Sequence, residues 1–397
     1  MRSILIVAGE KSSEAYGARL IRSFRRRNPE FYFFGVGGKD MEAEGAEILV
    51  PIEHLNVVGI HEALVRLPRI RRIFSRLRKE IEARSPAAAV LIDSPDFNLR
   101  LARVLKKNSI PVLYYISPTI WAWRKGRTKI IKKNVDKMLL IFPFEKAIYD
   151  REGIPAVFVG HPLREKIRVA FGREEFFRKH GFDPGRRLIT LLPGSRPSEL
   201  QSHLPVLAKA LPLLEDRLGA QFCLIKAESL NISCLRGLIP ENAPRLKVLD
   251  LDGYEAMAAS DLILSACGTA NMEACLIGTP FIAFYRLSPL SYWLALLLVK
   301  VRHYSIVNIL AGKAVVPELI QRRFNPDELV REACQLIESE ERRSRMTMEF
   351  ARIARALGDE PASENAGREL ERIILQGDSR RVPISPSSPA GRPPSPH

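Results

Sequence analysis

The sequence predicts an α/β protein of two doubly wound domains that face each other across a cleft. Short apolar runs alternate with amphipathic helical stretches from Ile4 onward, and the alternation restarts at Leu188. This pattern is typical of buried parallel strands joined by helices. The 397 residues suffice for two cores, and 46% hydrophobic with 27% charged residues is typical of a globular protein. The longest uninterrupted apolar run, 292–299, is too short to cross a bilayer.

The restart of the pattern sets the predicted domain boundaries. Residues 1–165 form the N-terminal Rossmann-like domain and residues 186–345 the C-terminal one, joined by a charged, helical linker region. Two final helices occupy 346–376. Residues 377–397 are rich in proline, serine and arginine, so a disordered tail is expected there.

The charge and the cysteines restrict the classes of function. A net charge of +16 indicates an anionic partner, which could be nucleic acid, a phosphorylated substrate or an acidic lipid surface. The basic residues are spread over many helices without an RNA- or DNA-binding motif, which argues against a nucleic-acid-binding module. The five cysteines form no metal-ligand pattern and fit a reducing cytoplasm. Without a metal-ligand pattern no metal is predicted, and because GxGxxG is absent after the first strand no dinucleotide cofactor is predicted.

The stretch 261–285 reads as strand, glycine turn, helix and strand. Gly268 permits a tight turn, Thr269 can cap a helix that runs to Ile277, and free backbone N–H groups at the helix start would favour an anion. Glu273 lies one turn further, within reach of hydroxyls on a group attached to that anion. The alternative is an ordinary βαβ crossover without a ligand.

A second candidate anion turn follows the predicted strand 188–192. Gly194 and Ser195 can present backbone N–H groups, and the Arg196 guanidinium can pair with a diphosphate. Ser198 with Gln201 fits a capping box for the helix that follows.

Two carboxylates follow the predicted strand 87–92, at the sheet edge where ligands bind in open α/β sheets. Either Asp93 or Asp96 could act as a general base. Asp96 could instead cap the next helix. Because that cap does not need Asp93, Asp93 is the better candidate base.

Several other residues after strand ends remain open between a site and a structural role. Trp123 could line a cleft or seal a core, and His161 could be a ligand, an acid–base group or a structural histidine. Asn308 and Gln321 are polar residues in apolar context and suggest the wall of a site.

Two helices are candidates for contacts outside the domains. The amphipathic stretch 64–84 carries eight arginines or lysines against two glutamates, and it could pack on a sheet or touch anionic lipid. The stretch 290–299 is apolar nearly all round, so burial by the core or by another subunit is expected.

Motifs along the chain together resemble one known family. The most specific are IDSPDFN at 92–98 and SPTIWAWR at 117–124. They are accompanied by VAGE at 7–10, VGIHE at 58–62, FPFE at 142–145, GH at 160–161, LPGSR at 192–196, LSPL at 287–290, NILAG at 308–312 and VPEL at 316–319. In this order they resemble the lipid-A-disaccharide synthases, inverting glycosyltransferases with two Rossmann-like domains (the GT-B type).

The resemblance implies a reaction between UDP-2,3-diacylglucosamine and 2,3-diacylglucosamine 1-phosphate (lipid X). The N-terminal domain would bind the acceptor and the C-terminal domain the UDP-sugar, with Asp93 as the base that deprotonates the acceptor 6-hydroxyl and no metal. The implied UDP site comprises Arg196, Ser195, Gly268, Thr269 and Glu273. The implied substrate cleft comprises Glu10, Ser12, Asp96, Trp123, His161, Asn308 and Gln321.

The resemblance also implies a cytoplasmic protein, peripheral on the anionic surface of the inner membrane through its basic helix. A homodimer, possibly with exchanged C-terminal parts, is implied too, and nucleic acid is not a partner. One departure concerns the first loop, which usually reads GEASGD in the family and here reads GEKSSE at 9–14. A serine at 13 would be strained if the backbone needs positive φ there. This departure keeps an alternative open: a GT-B glycosyltransferase or epimerase acting on a water-soluble UDP-sugar.

Overall fold

The computed structural model describes residues 2–55, 60–118, 126–227, 245–250, 253–287 and 302–381, together with residues 230, 235 and 237. The described chain forms two α/β domains, each with a parallel sheet and helices on both faces, as the sequence predicts. No described helix combines the length and the apolar character needed to cross a bilayer.

The N-terminal domain contains a seven-stranded sheet. Its strands are β1 (Arg2–Ala8), β2 (Phe31–Gly37), β3 (Ala46–Pro51), β4 (Ala88–Ile92), β5 (Val112–Tyr115), β6 (Lys137–Leu140) and β7 (Ala156–Phe158). Its helices are α1 (Lys11–Arg27), α2 (Lys39–Ala43), α3 (Ile60–Arg84), α4 (Pro95–Lys107), α5 (Arg127–Asn134), α6 (Pro143–Arg151) and α7 (Leu163–Lys166). In the strand order β3-β2-β1-β4-β5-β6-β7, β2 and β3 lie on one side of β1 and β4 to β7 on the other, so the order in which the chain adds strands reverses between β1 and β4. Such a reversal opens a crevice at the carboxyl ends of the two strands.

The C-terminal domain repeats this plan with six strands. They are β8 (Arg187–Leu192), β9 (Ala220–Ile225), β10 (Leu246–Leu249), β11 (Leu262–Ala266), β12 (Phe281–Tyr285) and β13 (Glu318–Ile320). The helices are α8 (Arg173–His180), α9 (Pro197–Leu218), α10 (Tyr254–Ala259), α11 (Thr269–Ile277), α12 (Ile306–Ala311), α13 (Pro326–Glu338), α14 (Glu340–Ala356) and α15 (Ala362–Arg381). The order β10-β9-β8-β11-β12-β13 reverses between β8 and β11, where both predicted anion turns lie.

The strands predicted at 87–92 and 188–192 correspond to β4 and β8 within one residue, whereas β3 and β13 were not predicted. Both missed strands lie at an edge of their sheet, and each has one neighbour instead of two. An edge strand needs less apolar character than a central one, and β13 is only three residues long.

The last helix returns to the first domain. Ala366, Leu370, Ile373 and Ile374 of α15 are buried in the same core as the apolar residues of β1. The two segments in which the chain passes between the domains, the two crossings, lie side by side. The Ser363 N–H donates to Glu165 Oε1 at 2.8 Å, and the His161 N–H donates to the Leu357 carbonyl at 3.1 Å. The helix continues to Arg381, so the expected start of a disordered tail at 377 is wrong by five residues. The remaining tail, 382–397, lies outside the described residues.

The basic helix predicted at 64–84 is part of α3. Ile73, Leu77 and Ile81 are buried against the N-terminal sheet, which confirms packing on a sheet. Arg71, Arg72 and other basic residues of the helix remain exposed, and lipid contact stays a prediction. The apolar stretch 290–299 lies outside the described residues.

Shortening one side chain tests whether α15 belongs to the N-terminal core. Leu370→Ala is expected to lower the free energy of unfolding by about 2–5 kcal/mol, because Leu370 is fully buried in that core. Urea denaturation followed by circular dichroism measures the change. Met348→Ala is the control, since Met348 is 62% exposed and its loss is expected to stay within roughly 0.5 kcal/mol. Equal losses in the two variants would contradict this packing.

Candidate active site

The turn after β4 fixes the position of the candidate base. Asp93 and Ser94 both adopt left-handed backbone conformations, with φ of 53° and 44°. The Asp93 carbonyl accepts hydrogen bonds from Asn98 Nδ2 at 2.8 Å and from the Tyr114 hydroxyl at 2.6 Å. On the other side, a Cβ on Gly9 would lie 2.0 Å from Ser94 Cβ, so the two loops meet only because residue 9 is glycine. The chain therefore holds Asp93 at the crevice between β1 and β4.

The carboxyl group of Asp93 has an unusual pKa. Burial, and then the negative charge of Glu10, raise its pKa to about 6, while a backbone hydrogen bond at Ser94 opposes the shift. A carboxylate with a pKa near 6 is still ionised at neutral pH and is a stronger base than an ordinary aspartate. This arrangement suits proton abstraction.

The first turn of α1 supplies Glu10 and Ser12, which are both exposed. The helix begins at Lys11, so residues 11–14 are helical and the expected loop over 9–14 is wrong beyond Glu10. Ser13 is buried within the helix, and its φ is not positive, so the condition for strain at this residue is not met. Glu14 is buried and accepts the Asp40 N–H at 3.0 Å. The departures from the family motif at 13 and 14 thus point into the domain.

Asp96 does not cap the helix that follows β4. Ser94 occupies the cap position, and Pro95 is the first helical residue. Asp96 is exposed in the first turn and accepts a hydrogen bond from Arg127 Nη2 at 2.7 Å, which joins α4 to α5.

In the C-terminal domain, the turn after β8 already contains its own anion. The Glu199 carboxylate accepts the Ser195 N–H at 2.9 Å and the Arg196 N–H at 3.3 Å. The helix is therefore capped by Arg196 and Glu199, and the predicted capping box of Ser198 and Gln201 is wrong. The guanidinium of Arg196 is 59% exposed and lies 3.8 Å from Glu199 Oε1.

The turn after β11 differs in having no such anion. Gly268 is the cap residue of α11 and Thr269 its first residue, so the predicted cap by Thr269 is wrong. Within this fully described helix, no acidic side chain lies in the first turn and no side chain caps it. A Cβ on Gly268 would find no described atom within 4 Å, so the helix start faces open space. Glu273, one turn on, accepts a hydrogen bond from the Tyr254 hydroxyl at 3.1 Å.

Tyr16 connects the two halves of the site electrostatically. This tyrosine of α1 is buried, and its pKa is raised first by burial, then by Glu273 of the other domain and also by Asp93, while Arg19 opposes the shift. Both carboxylates therefore lie within electrostatic range of one hydroxyl. Asp93 of the N-terminal domain and Glu273 of α11 thus both influence the same hydroxyl. Tyr16 was not predicted from the sequence, because its position on the first helix is its only distinguishing feature there.

His161 and Asn308 are engaged by their own surroundings. His161 is buried, which lowers its pKa to about 4, and its Nδ1 accepts the Leu163 N–H at 3.2 Å. Asn308 donates to the Val316 carbonyl and to Glu318, and its Oδ1 accepts the N–H groups of 315 and 316. Gln321 has a φ of 55° in a short 3₁₀ helix, Gln321–Arg323. Trp123 lies outside the described residues.

His203 is a further residue that sequence reasoning missed. It is fully buried on α9, where Nδ1 donates to the Pro193 carbonyl at 2.7 Å and Nε2 accepts the Arg286 N–H at 3.0 Å. Burial lowers its pKa, so the ring stays neutral. It ties the turn after β8 to the end of β12. Within the described part of the chain, no cluster of three or more His, Cys, Asp or Glu side chains could hold a metal ion.

Solved structures share this architecture at low sequence identity. The UDP-GlcNAc 2-epimerase from Neisseria meningitidis bound to UDP-GlcNAc aligns with a TM-score of 0.64 and 14% identity, over 94% of this chain and all of that chain. The glycosyltransferase of kitacinnamycin aligns with a TM-score of 0.66 and 13% identity, over 94% and 98% of the two chains. The protein therefore has the GT-B fold of glycosyltransferases and UDP-sugar epimerases.

Sequence relatives define the family. A family model described as lipid-A-disaccharide synthetase matches residues 4–370. The lipid-A-disaccharide synthase of Geobacter sulfurreducens is 40% identical over 375 residues, which cover 94% of this chain and 98% of the relative. The chain belongs to the lipid-A-disaccharide synthase family, whose members are glycosyltransferases of lipid A biosynthesis.

Replacing His203 tests how the turn after β8 is held. His203→Phe keeps an aromatic ring among Phe284, Tyr285 and Phe324 but removes both hydrogen bonds. The free energy of unfolding is expected to fall by about 1–3 kcal/mol, because the Pro193 carbonyl loses its partner in a buried place. Chemical denaturation measures the loss. The control is His180→Phe, at a histidine whose ring packs against Phe176 in a tilted contact, and a loss there as large as at 203 would contradict the assignment.

Proposed function

We propose that the protein transfers the diacylglucosaminyl unit of UDP-2,3-diacylglucosamine to the 6-hydroxyl of 2,3-diacylglucosamine 1-phosphate. The products are a β-1,6-linked disaccharide 1-phosphate and UDP. The carrying observation is that Asp93, a base with a raised pKa at the crevice between β1 and β4, and Glu273 of the uncapped helix α11 both act electrostatically on the hydroxyl of Tyr16. Family membership supports the choice of substrates.

The chemistry requires one displacement at the anomeric carbon. Asp93 accepts the proton of the acceptor hydroxyl, the bond from that oxygen to the anomeric carbon forms, and the bond to the UDP oxygen breaks. A single in-line displacement needs only one base and inverts the anomeric centre, which is why Asp93 alone suffices.

Negative charge develops on the UDP oxygen as its bond to the anomeric carbon breaks. In this proposal the backbone N–H groups at Gly268 and Thr269 and the guanidinium of Arg196 stabilise that charge without a metal. Glu273, one turn into α11, holds the ribose hydroxyls.

The proposal extends to the setting of the enzyme. Acylated substrates reside in a membrane, so the protein acts on the cytoplasmic face of the inner membrane, with exposed arginines of α3 toward anionic lipid. We also propose that the protein forms a homodimer in which the two chains exchange their C-terminal parts. Its exchanged element would be α15, which packs on the N-terminal domain. The likeness to epimerases, at 14% identity, is one of fold, so the family match favours the acylated substrates over a water-soluble UDP-sugar.

The defining experiment is mass spectrometry of the products from these two substrates. Wild type is expected to yield the disaccharide phosphate, and Asp93→Ala to yield it about 10²–10⁴-fold more slowly, because a general base contributes that factor. Asp150→Asn, at an exposed carboxylate of the same domain, serves as the control and keeps wild-type activity.

Other outcomes would redirect the proposal. Equal product from wild type and Asp93→Ala would remove Asp93 from its role. No disaccharide from a wild type that still binds UDP by calorimetry would favour the water-soluble UDP-sugar. Salt-sensitive binding of random DNA without UDP binding would favour a nucleic-acid-binding module.

The pH dependence tests the state of Asp93. The base must be ionised, so kcat/KM is expected to fall as the pH drops below about 6, the pKa of Asp93. Glu10→Gln removes a charge that raises this pKa, and the acid limb is then expected to move to lower pH. Initial rates from pH 4.5 to 8 (roughly the range that brackets this pKa) measure both profiles. Glu42→Gln, at an exposed carboxylate on α2, should leave the limb in place, and a limb unmoved by Glu10→Gln would contradict the electrostatic account.

A further inference from the structure

A cavity of about 560 Å³ opens between α4 and α5 of the N-terminal domain. It lies outside the residues assigned above to the base and the UDP site. Its lining consists of Pro95, Asp96, Leu99, Arg100, Arg103, Gly126, Arg127 and Ile130.

The lining of the cavity combines basic and apolar residues. Three arginines face one carboxylate, and that carboxylate, Asp96, is already paired with Arg127. Arg100 and Arg103 are exposed and form no ion pair with any described residue. Leu99 and Ile130 supply apolar surface beside them. A ligand that fits this lining carries a doubly charged anionic group whose oxygens accept paired hydrogen bonds from guanidinium groups. It also carries an apolar part next to that group.

The cavity adjoins the candidate base. Helix α4 begins two residues after Asp93, and its first residues line the cavity. The Tyr114 hydroxyl, which donates to the Asp93 carbonyl at 2.6 Å, has its pKa raised by burial first and then by Asp93, while Arg127 opposes the shift. Arg127 therefore lies within electrostatic range of the tyrosine that holds Asp93 in place.

We propose that this cavity binds the phosphate monoester of the sugar acceptor through Arg100, Arg103 and Arg127. The inference rests on the proposed function, in which the acceptor presents its 6-hydroxyl to Asp93. The 1-phosphate and the 6-hydroxymethyl group sit on the two carbons that flank the ring oxygen, so the phosphate lies within about one ring's width of the base, and α4 begins two residues after that base. A guanidinium group can donate two parallel hydrogen bonds to phosphate oxygens. The acyl carbons of the acceptor contact the apolar surface.

The test is steady-state kinetics in neutral-detergent micelles that contain no phospholipid. With donor saturating, the double variant Arg100→Ala/Arg103→Ala is expected to raise the KM for 2,3-diacylglucosamine 1-phosphate roughly 10- to 100-fold. The kcat and the KM for the donor should stay near wild type, since neither arginine belongs to the UDP site. Lys107→Ala is the matched control, because it removes one positive charge from the same helix outside the cavity and should change nothing.

A second arm replaces the acceptor by 2,3-diacylglucosamine without phosphate. Wild type is expected to prefer the phosphorylated acceptor, and the double variant to lose that preference. An unchanged preference in the variant, or an equal effect of Lys107→Ala, would overturn the inference. An effect seen only with vesicles of anionic phospholipid would also overturn it, because the arginines would then bind bulk lipid headgroups. Absence of disaccharide from wild type would instead refute the proposed function itself.

Discussion

Two consecutive left-handed residues, Asp93 and Ser94, determine the geometry of the N-terminal half of the site. Such conformations cost about 1–3 kcal/mol each in residues other than glycine, so other interactions must stabilise them. Here the stabilising bonds come from Asn98 and Tyr114 to the Asp93 carbonyl. Gly9 leaves the space that the turn needs. Much of the IDSPDFN motif is thus explained by the backbone that presents one carboxylate, the candidate base.

The cleft depends on how the chain returns to its first domain. Helix α15 buries four apolar side chains in the N-terminal core, and the two crossings between domains are joined by backbone and side-chain hydrogen bonds. Buried His161 lies at this junction, where its low pKa keeps it neutral and where a charged ring would be costly. The two crossings together hold the domains so that the negative charge of Glu273 raises the pKa of Tyr16, a residue of the first helix.

The sequence predicted the central strands and the loops that carry the site, because buried parallel strands are short apolar runs. It failed at helix starts. Caps expected at Asp96, Ser198 and Thr269 lie one or two residues earlier, at Ser94, Arg196 and Gly268. Prolines at the first helical position, Pro95 and Pro197, were the signal that would have placed two of them. Tyr16, His203 and the docking of α15 could not be predicted, because they depend on contacts between distant parts of the chain.

The two helix starts at the edge of the C-terminal sheet are not equivalent as anion sites. At α9 the backbone amides of Ser195 and Arg196 already bind the Glu199 carboxylate, which Tyr285 holds at 3.0 Å, so a diphosphate would have to displace a fixed charge. At α11 the first turn contains no carboxylate, and Gly268 leaves open space. The exposed Arg196 side chain can still contribute, because an ion pair as long as 3.8 Å at the surface is worth about 0–1 kcal/mol and is easily exchanged. We therefore propose α11 as the site of the diphosphate, with Arg196 approaching from the neighbouring turn.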